Sequence, residues 1–275
     1  MSLSAERVAI ANQAVLKTFE QSSVFWQTIP HWDTGDRGQH KIREDITFSS
    51  DGAPDDEDPQ PGEGPFASKL VDISDNAYVL FRVTLGQATA QTPDPLLAAV
   101  IARTVRLARL FDAEVSDALT ERTSVHVDLL NTEPPAILTA LLEGRKRLED
   151  SGFRAPSCLI ASTRHYGMLH QWIDGVAVAD DLLKAASVGS LSRSSQLDKP
   201  DSVMLMLGRR QDIAHRCAGE ASAGEEPVDL AVSVPPSLEV IGDNGQGEIE
   251  LGVRVRYATR VKDERGVIVF NPPPQ

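Results

Sequence analysis

Residues 96–119 run LLAAVIARTVRLARLFDAEVSDAL, and the organisation of the chain turns on what that stretch requires. Leu97, Ile101, Val105, Ala108, Asp112 and Val115 recur at helical spacing, and Leu96, Val100, Leu107, Leu110 and Phe111 widen the stripe. A helix of this length is about 36 Å long, and so broad an apolar face has to lie along a core. Thr92-Pro93-Asp94-Pro95 leads into it. Arg103, Arg106 and Arg109 project from it at three-residue spacing. No aromatic residue interleaves them, so they lack the stacking partners of a nucleic-acid site and are expected to pair with acidic neighbours.

On the N-terminal side, residues 40–49 alternate Ile42, Ile46 and Phe48 with Lys41, Arg43, Asp45 and Thr47, a strand pattern. A return strand is expected over 68–73 and 77–85. Between them, residues 51–64 hold Asp51, Asp55, Asp56, Glu57, Asp58 and Glu63 with three prolines and no base. Such a tract neither buries nor pairs with itself, so it reads as the solvated tip of a long hairpin. Isolated hairpins are unstable in water, so this arm has to lie on a partner surface. The arginine row of another copy is one such place. Further upstream, Ser4 caps a helix whose Val8, Ala11, Val15 and Phe19 share one face with Leu16 beside them. Val24-Phe25-Trp26 and Ile29-Pro30 read as an extended arm. Asp33 and Asp36 sit among turn formers without the closing Glu of a calcium loop, so a structural turn is expected there.

On the C-terminal side, Pro134-Pro135 opens a helix that ends at Gly152. A buried strand over 157–162 and a short helix over 165–172 follow. Residues 187–200 are rich in Ser and Gly and read as a loop. Strands are expected over 203–207, over 228–234 up to Pro235-Pro236, over 248–257 and over 267–270. Gly242-Asp243-Asn244-Gly245-Gln246-Gly247 precedes a strand instead of a helix, so it is a hairpin turn and not a dinucleotide loop.

Aromatic residues are only 5%, so the core has to be built mainly from Leu, Val, Ile and Ala. A formal charge of −13 disfavours general binding to nucleic acid or anionic membranes. Cys158 and Cys217 stand alone, with no disulfide or zinc spacing. Met1 to Arg7 lacks the apolar core of a signal peptide, which points to a cytoplasmic protein. His165 and His170 are five apart, off the four-residue spacing of paired helical metal ligands. No nucleophile elbow, phosphate loop or zinc-protease motif occurs, so no catalytic, metal-binding or cofactor residue is assigned.

The order of these parts resembles the tailed-phage major capsid fold, which is shared with encapsulins. The local residues carrying the likeness are His165 to Trp172 after the strand Cys158–Ala161, then residues 205–212, then residues 254–261 before Val267–Phe270. The resemblance implies an α+β, phage-capsid-like chain. Its expected parts are an N-terminal helix and arm over 1–39, an extended β-hairpin loop over 40–92, a peripheral domain with the long spine helix over 93–154, an axial domain over 155–227 and peripheral return strands over 228–275. It implies a non-enzymatic shell protein whose partners are many copies of itself, with no membrane. Axial loops surround the symmetry axes in that family, which makes Ser190, Ser192, Arg193 and Ser194 the implied pore rim. An encapsulin would enclose a cargo protein in the bacterial cytoplasm, with Val8, Val15 and Phe19 as the implied cargo-binding face. A phage or prophage capsid would enclose packaged DNA in a virion. Covalent crosslinking through Lys41 or Lys69 is the weaker reading of lysines in a hairpin. The acidic hairpin tip and the long stretch from Cys217 to Val261 depart from the usual encapsulin. A soluble α/β enzyme with an unrecognised site is the alternative of another class.

Overall fold

A computed structural model describes residues 3–43, 70–74, 77–173, 176–199, 202–209 and 226–273. The acidic tract 51–64, Lys69, Cys217 and the expected polar turn at 210–212 lie outside the described residues. The chain divides into two compact units. One comprises residues 1–40, 72–117 and 230–259, the other residues 41–71, 118–229 and 260–275.

The first unit begins with α1 (Ala5–Ser22), capped by the Ser4 side chain, which accepts from the Arg7 N–H. It continues through α2 (Val24–Thr28) and β1 (His31–Asp33). Later segments add β4 (Tyr78–Thr84), α3 (Leu85–Thr89) and most of α4 (Asp94–Arg122). Its sheet has the order β1-β11-β12-β4, with β11 spanning Val228–Asp243 and β12 Glu248–Val261. In β4, Val79, Phe81 and Val83 are buried while Tyr78, Leu80, Arg82 and Thr84 face outward. The register sets Phe81 opposite Leu251 and Leu80 opposite Gly252. This is a sheet with one apolar face, and its alternation is visible in the sequence.

The spine helix is longer than expected by a few residues at each end. The expected stripe is buried in its C-terminal half, at Ala108, Asp112 and Val115; in the N-terminal half burial shifts to Leu96, Val100 and Thr104, and Ile101 is 41% exposed. Thr104 hides this in the sequence. It sits in the apolar face because its hydroxyl donates to the Val100 carbonyl at 2.9 Å and so needs no water.

The second unit carries β5 (His126–Asp128), α5 (Pro134–Asp150), β6 (Ser157–Ala161), α6 (Thr163–Leu169), α7 (Val178–Ala185), β9 (Val188–Arg193), β10 (Met204–Leu207) and β13 (Val267–Asn271). Its sheet has the order β5-β13-β10-β6-β9. β6 and β10 are buried at every residue, so both faces are covered and no alternation survives in the sequence. The core gathers Leu141 and Leu148 of α5, Leu159, Leu169, Met206, Ile268 and Phe270. Gly144 lets α5 approach the sheet: a Cβ there would lie 2.8 Å from Phe270 Cζ. The described residues also form two small sheets, β2 (Lys41–Arg43) with β3 (Leu70–Asp72), and β7 (Trp172–Ile173) with β8 (Val176–Ala177).

Three expectations about single elements change. β2 and β3 pair, but β4 joins β12 because its apolar alternation fits the first unit's core, and residues 85–89 are helical. β11 continues through Pro235-Pro236 to Asp243. β1 pairs only with Leu230–Val232, so that flank of β11 makes no ladder demand on the two prolines. The Ser/Gly-rich stretch is strand β9 instead of a loop, and α7 has no counterpart in the sequence reading. The expected axial span 155–227 lies in the second unit together with residues 118–154 and 260–275.

Candidate functional site

The features to which the sequence pointed are the N-terminal helix, the edge of the second sheet and the clefts with reactive side chains. The first is held from within. Ala11, Val15 and Phe19 of α1 are fully buried. Phe19 meets Trp26 edge-on at 5.3 Å and Phe111 at 5.2 Å, and Phe111 lies 4.5 Å from Tyr257. Residues 24–28 are therefore a helix, not an extended arm. Asp112, 5% exposed, accepts from Ser23 Oγ at 2.6 Å, the Val24 N–H at 3.1 Å and the Phe25 N–H at 3.3 Å. A buried carboxylate facing three donors winds the turn and closes the N-terminus of α2. Burial pushes the Asp112 pKa up to about 6. Tyr257 donates to Glu114 at 2.7 Å, and burial beside that carboxylate pushes its phenol pKa well up.

Of the expected cargo-facing residues, Val15 and Phe19 are thus core side chains, and Val8 is half-buried. The large apolar side chains that α1 exposes are Ile10 and Leu16, each 38% accessible. Arg7 ties the first turn down by donating to the Ala88 carbonyl at 2.7 Å and to the Ala90 carbonyl. Beside it lies a cleft of about 200 Å³ bordered by Arg7, Leu85, Ala88 and Ile249.

The expected pore residues share one strand. β9 runs parallel to β6 at the edge of its sheet, with Ser190 opposite Cys158, Ser192 opposite Ile160 and Arg193 opposite Ala161. Arg193 is exposed, Ser190 and Ser192 are half-buried, and Ser194 is buried with its hydroxyl accepting from the Gln196 N–H. Arg209 donates to Ser190 Oγ at 3.2 Å. Gly189 allows the strand to close on Pro156, where a Cβ would come within 2.7 Å. The sequence hid this strand because only Val188 and Leu191 pack inward from it.

Among the described residues, Ser162, His165 and Asp198 do not form a hydrogen-bonded triad. Ser162 Oγ lies 2.9 Å from His165 Nδ1, but the same oxygen caps α6 by accepting the His165 N–H. Asp198 accepts from the Thr163 N–H at 2.8 Å instead of orienting the imidazole. His165 Nε2 has no partner among the described residues. Burial and the nearby Arg164 hold the His165 pKa down. These residues border an open cleft of about 520 Å³ with Leu197, Lys199 and Pro272. Cys158 is buried, which pushes its thiol pKa up and away from nucleophilic use. Asp33 and Asp36 bind the N–H groups of Gly35 and Gly38, each at 2.8 Å, so both serve their own turn. Likewise Asn244 Oδ1 accepts from Gln246 and Glu248 in the β11–β12 turn, with Gly245 and Gly247 at φ +73 and +79°. Among the described residues no group of three or more His, Cys, Asp or Glu is placed to hold a metal ion. No described helix is long and apolar enough to cross a membrane.

No protein-family model matches the sequence, and no curated protein matches it. Solved structures do. The chain is similar to the virus-like particle from Pyrococcus furiosus at 13% identity, over 97% of this chain and 99% of that one, with a TM-score of 0.70. It is similar to the holo encapsulin complex from Synechococcus elongatus at 11% identity, over 92% and 88%, with a TM-score of 0.58. Its likeness to the mature capsid of bacteriophage PhiM1 is 11% in identity, over 92% and 88%, with a TM-score of 0.56. The fold is the α+β fold of phage capsids and encapsulins, as the order of parts implied.

Proposed function

We propose that the chain is a non-enzymatic structural subunit that closes with many copies of itself into an icosahedral shell, of the encapsulin type with protein cargo inside. The observation that carries this is the likeness to a virus-like particle chain over 97% of this chain and 99% of that one. Three of the polar side chains described above add to it: Ser162 caps α6, Asp33 serves its own turn and Asp198 accepts from the Thr163 N–H. On this reading Ile10 and Leu16, with the half-buried Val8, are the side chains of α1 that a cargo segment would meet. Ser190, Ser192 and the exposed Arg193 of β9 would face a channel, with Ser194 fixing the strand end. The shell would stand in the bacterial cytoplasm.

A second reading, the major capsid protein of a phage or prophage enclosing DNA in a virion, is favoured by the equal share of the chain matched to a phage capsid. Size-exclusion chromatography with negative-stain microscopy tests both. Uniform hollow particles are expected, and a monomer or small oligomer at assembly concentrations overturns the shell reading. Protein that co-purifies inside the particles supports the encapsulin type, and nuclease-protected DNA supports the capsid.

A further inference from the structure

The open cleft beside α6 has walls of two kinds, and its lining residues all belong to the second unit. Leu197, Val203, Pro272 and Pro273 make an apolar side, and Leu197 and Val203 are buried. Arg164, His165, Asp198 and Lys199 make a polar one. A cleft of about 520 Å³ with apolar walls and a few polar groups has the size and make-up of a small-molecule site. His165 decides what the polar side asks for. It is 4% exposed. Ser162 Oγ accepts the His165 N–H at 3.3 Å and lies 2.9 Å from Nδ1. That hydroxyl meets no other partner among the described residues, so its proton points at Nδ1. The ring's own proton then sits on Nε2, where it has no acceptor among the described residues. The opposite tautomer would orphan two groups, the hydroxyl proton and Nε2, instead of one.

We propose that this cleft binds a small organic oxyanion, a carboxylate or phosphate monoester on an apolar body, with the His165 Nε2–H and the Arg164 guanidinium as its donors. A buried N–H without an acceptor is unfavourable, so the donor calls for one. Burial and Arg164 keep the imidazole neutral at about pH 7, so it contributes a hydrogen bond and the charge comes from the cations. Arg164 is exposed and has no partner among the described residues. Its planar fork matches the two oxygens of a carboxylate or phosphate. Asp198, the one carboxylate among the described lining residues, already accepts from the Thr163 N–H at 2.8 Å, and Arg164 and Lys199 outnumber it. Leu197, Val203 and the two prolines give the apolar body a place that an inorganic ion would leave unused. The site is made by one chain, so it goes beyond the shell reading and stands whether or not copies assemble.

Equilibrium dialysis of the full chain against phenyl phosphate and against benzoate tests this, with benzyl alcohol as the uncharged control. Saturable binding of one or both anions is expected, and none of the alcohol at the same concentration. Phenyl phosphate alone assigns the phosphate monoester, benzoate alone the carboxylate. Arg164→Gln should weaken binding about tenfold, and the anion should raise the thermal unfolding temperature of the variant less than that of the wild type. Without ligand the two should unfold alike, since Arg164 is exposed. His165→Gln, whose amide keeps a donor near the Nε2 position, should retain binding, while His165→Phe should lose it. If either His165 variant fails to fold, the Arg164 comparison decides. No saturable binding of either anion, equal binding to Arg164→Gln or to a folded His165→Phe, or equal binding of benzyl alcohol overturns the proposal. Inorganic phosphate or formate binding as tightly as the aromatic anions also counts against it, because the apolar wall would then contribute nothing. A chain that binds and forms no particles sinks the shell reading and leaves this site standing.

Discussion

The two main sheets solve the same packing problem in opposite ways. The first unit's sheet buries one face. Val79, Phe81 and Val83 turn inward and Tyr78, Leu80, Arg82 and Thr84 outward, so the strand is written in the sequence as an alternation. In the second unit's sheet, β6 and β10 are covered on both faces, and Ser157–Ala161 and Met204–Leu207 read as plain apolar runs. One-sided burial leaves a sheet that tolerates change on its outer face. Two-sided burial makes every inward side chain a neighbour of every other, so a void or an extra methyl has nowhere to go.

The largest effect that would break this contrast is a cavity. Phe270→Ala, in the second core, is expected to cost about 3–5 kcal/mol in a denaturant titration. A loss under about 1 kcal/mol would mean that this core is loosely packed.

Acid should move the two units in opposite directions. The Asp112 carboxyl has a folded pKa of about 6, above its ordinary 3.8, because burial penalises the charge. Its contribution to stability is therefore full below the unfolded pKa and is lost as pH rises through about 6. The whole window amounts to about 3 kcal/mol, of which about half is present at pH 5. The His165 pKa is depressed by burial, so its contribution is present above the ordinary histidine value and is lost as pH falls. Hydrogen exchange at about pH 5 and pH 7.5, corrected for the intrinsic rate, should show residues 19–29 better protected at the lower pH and residues 162–170 less so. Asp112→Asn should remove the first change and leave the second. Parallel shifts in both regions would show that one global transition governs both units.

Smaller still is Gly144→Ala, which sets a methyl against Phe270 and should cost about 1–3 kcal/mol through overpacking. At the low end, Leu80→Ser on the outer face of β4, where Leu80 is 51% exposed, should change monomer stability by no more than about 0.5 kcal/mol. If the same substitution lowers particle yield, that face is a contact between copies, and the sheet's second side is covered after all by another chain.

How much was legible follows the same division. The spine helix, α1, α5 and β4 were readable because each has one wet side and one dry side, which leaves a period in the sequence. β9 was not, because an edge strand with Val188 and Leu191 as its inward residues carries too few apolar positions to show a period of two. The path of β11 through Pro235-Pro236 was hidden because proline speaks against a strand only where a ladder partner needs the missing N–H. The α2 helix was hidden for a further reason. Its turn is wound by Asp112, far along the chain, and no local pattern in Val24-Phe25-Trp26 encodes a carboxylate contributed from another helix. For the site, the sequence rightly gave Val8, Val15 and Phe19 one common face, but burial of Val15 and Phe19 leaves Ile10 and Leu16 as the large apolar side chains that α1 offers outward.

The residues alone were enough for the class of fold, since periodicity, proline and glycine punctuation and one long amphipathic helix set the order of parts. They were also enough for the charge pattern, an acidic tract and an arginine row. Tertiary structure alone decided which strands pair and which apolar side chains of α1 stay outside. Those outcomes depend on contacts between residues distant in the chain, and burial is a property of the packed molecule that no single stretch of sequence carries.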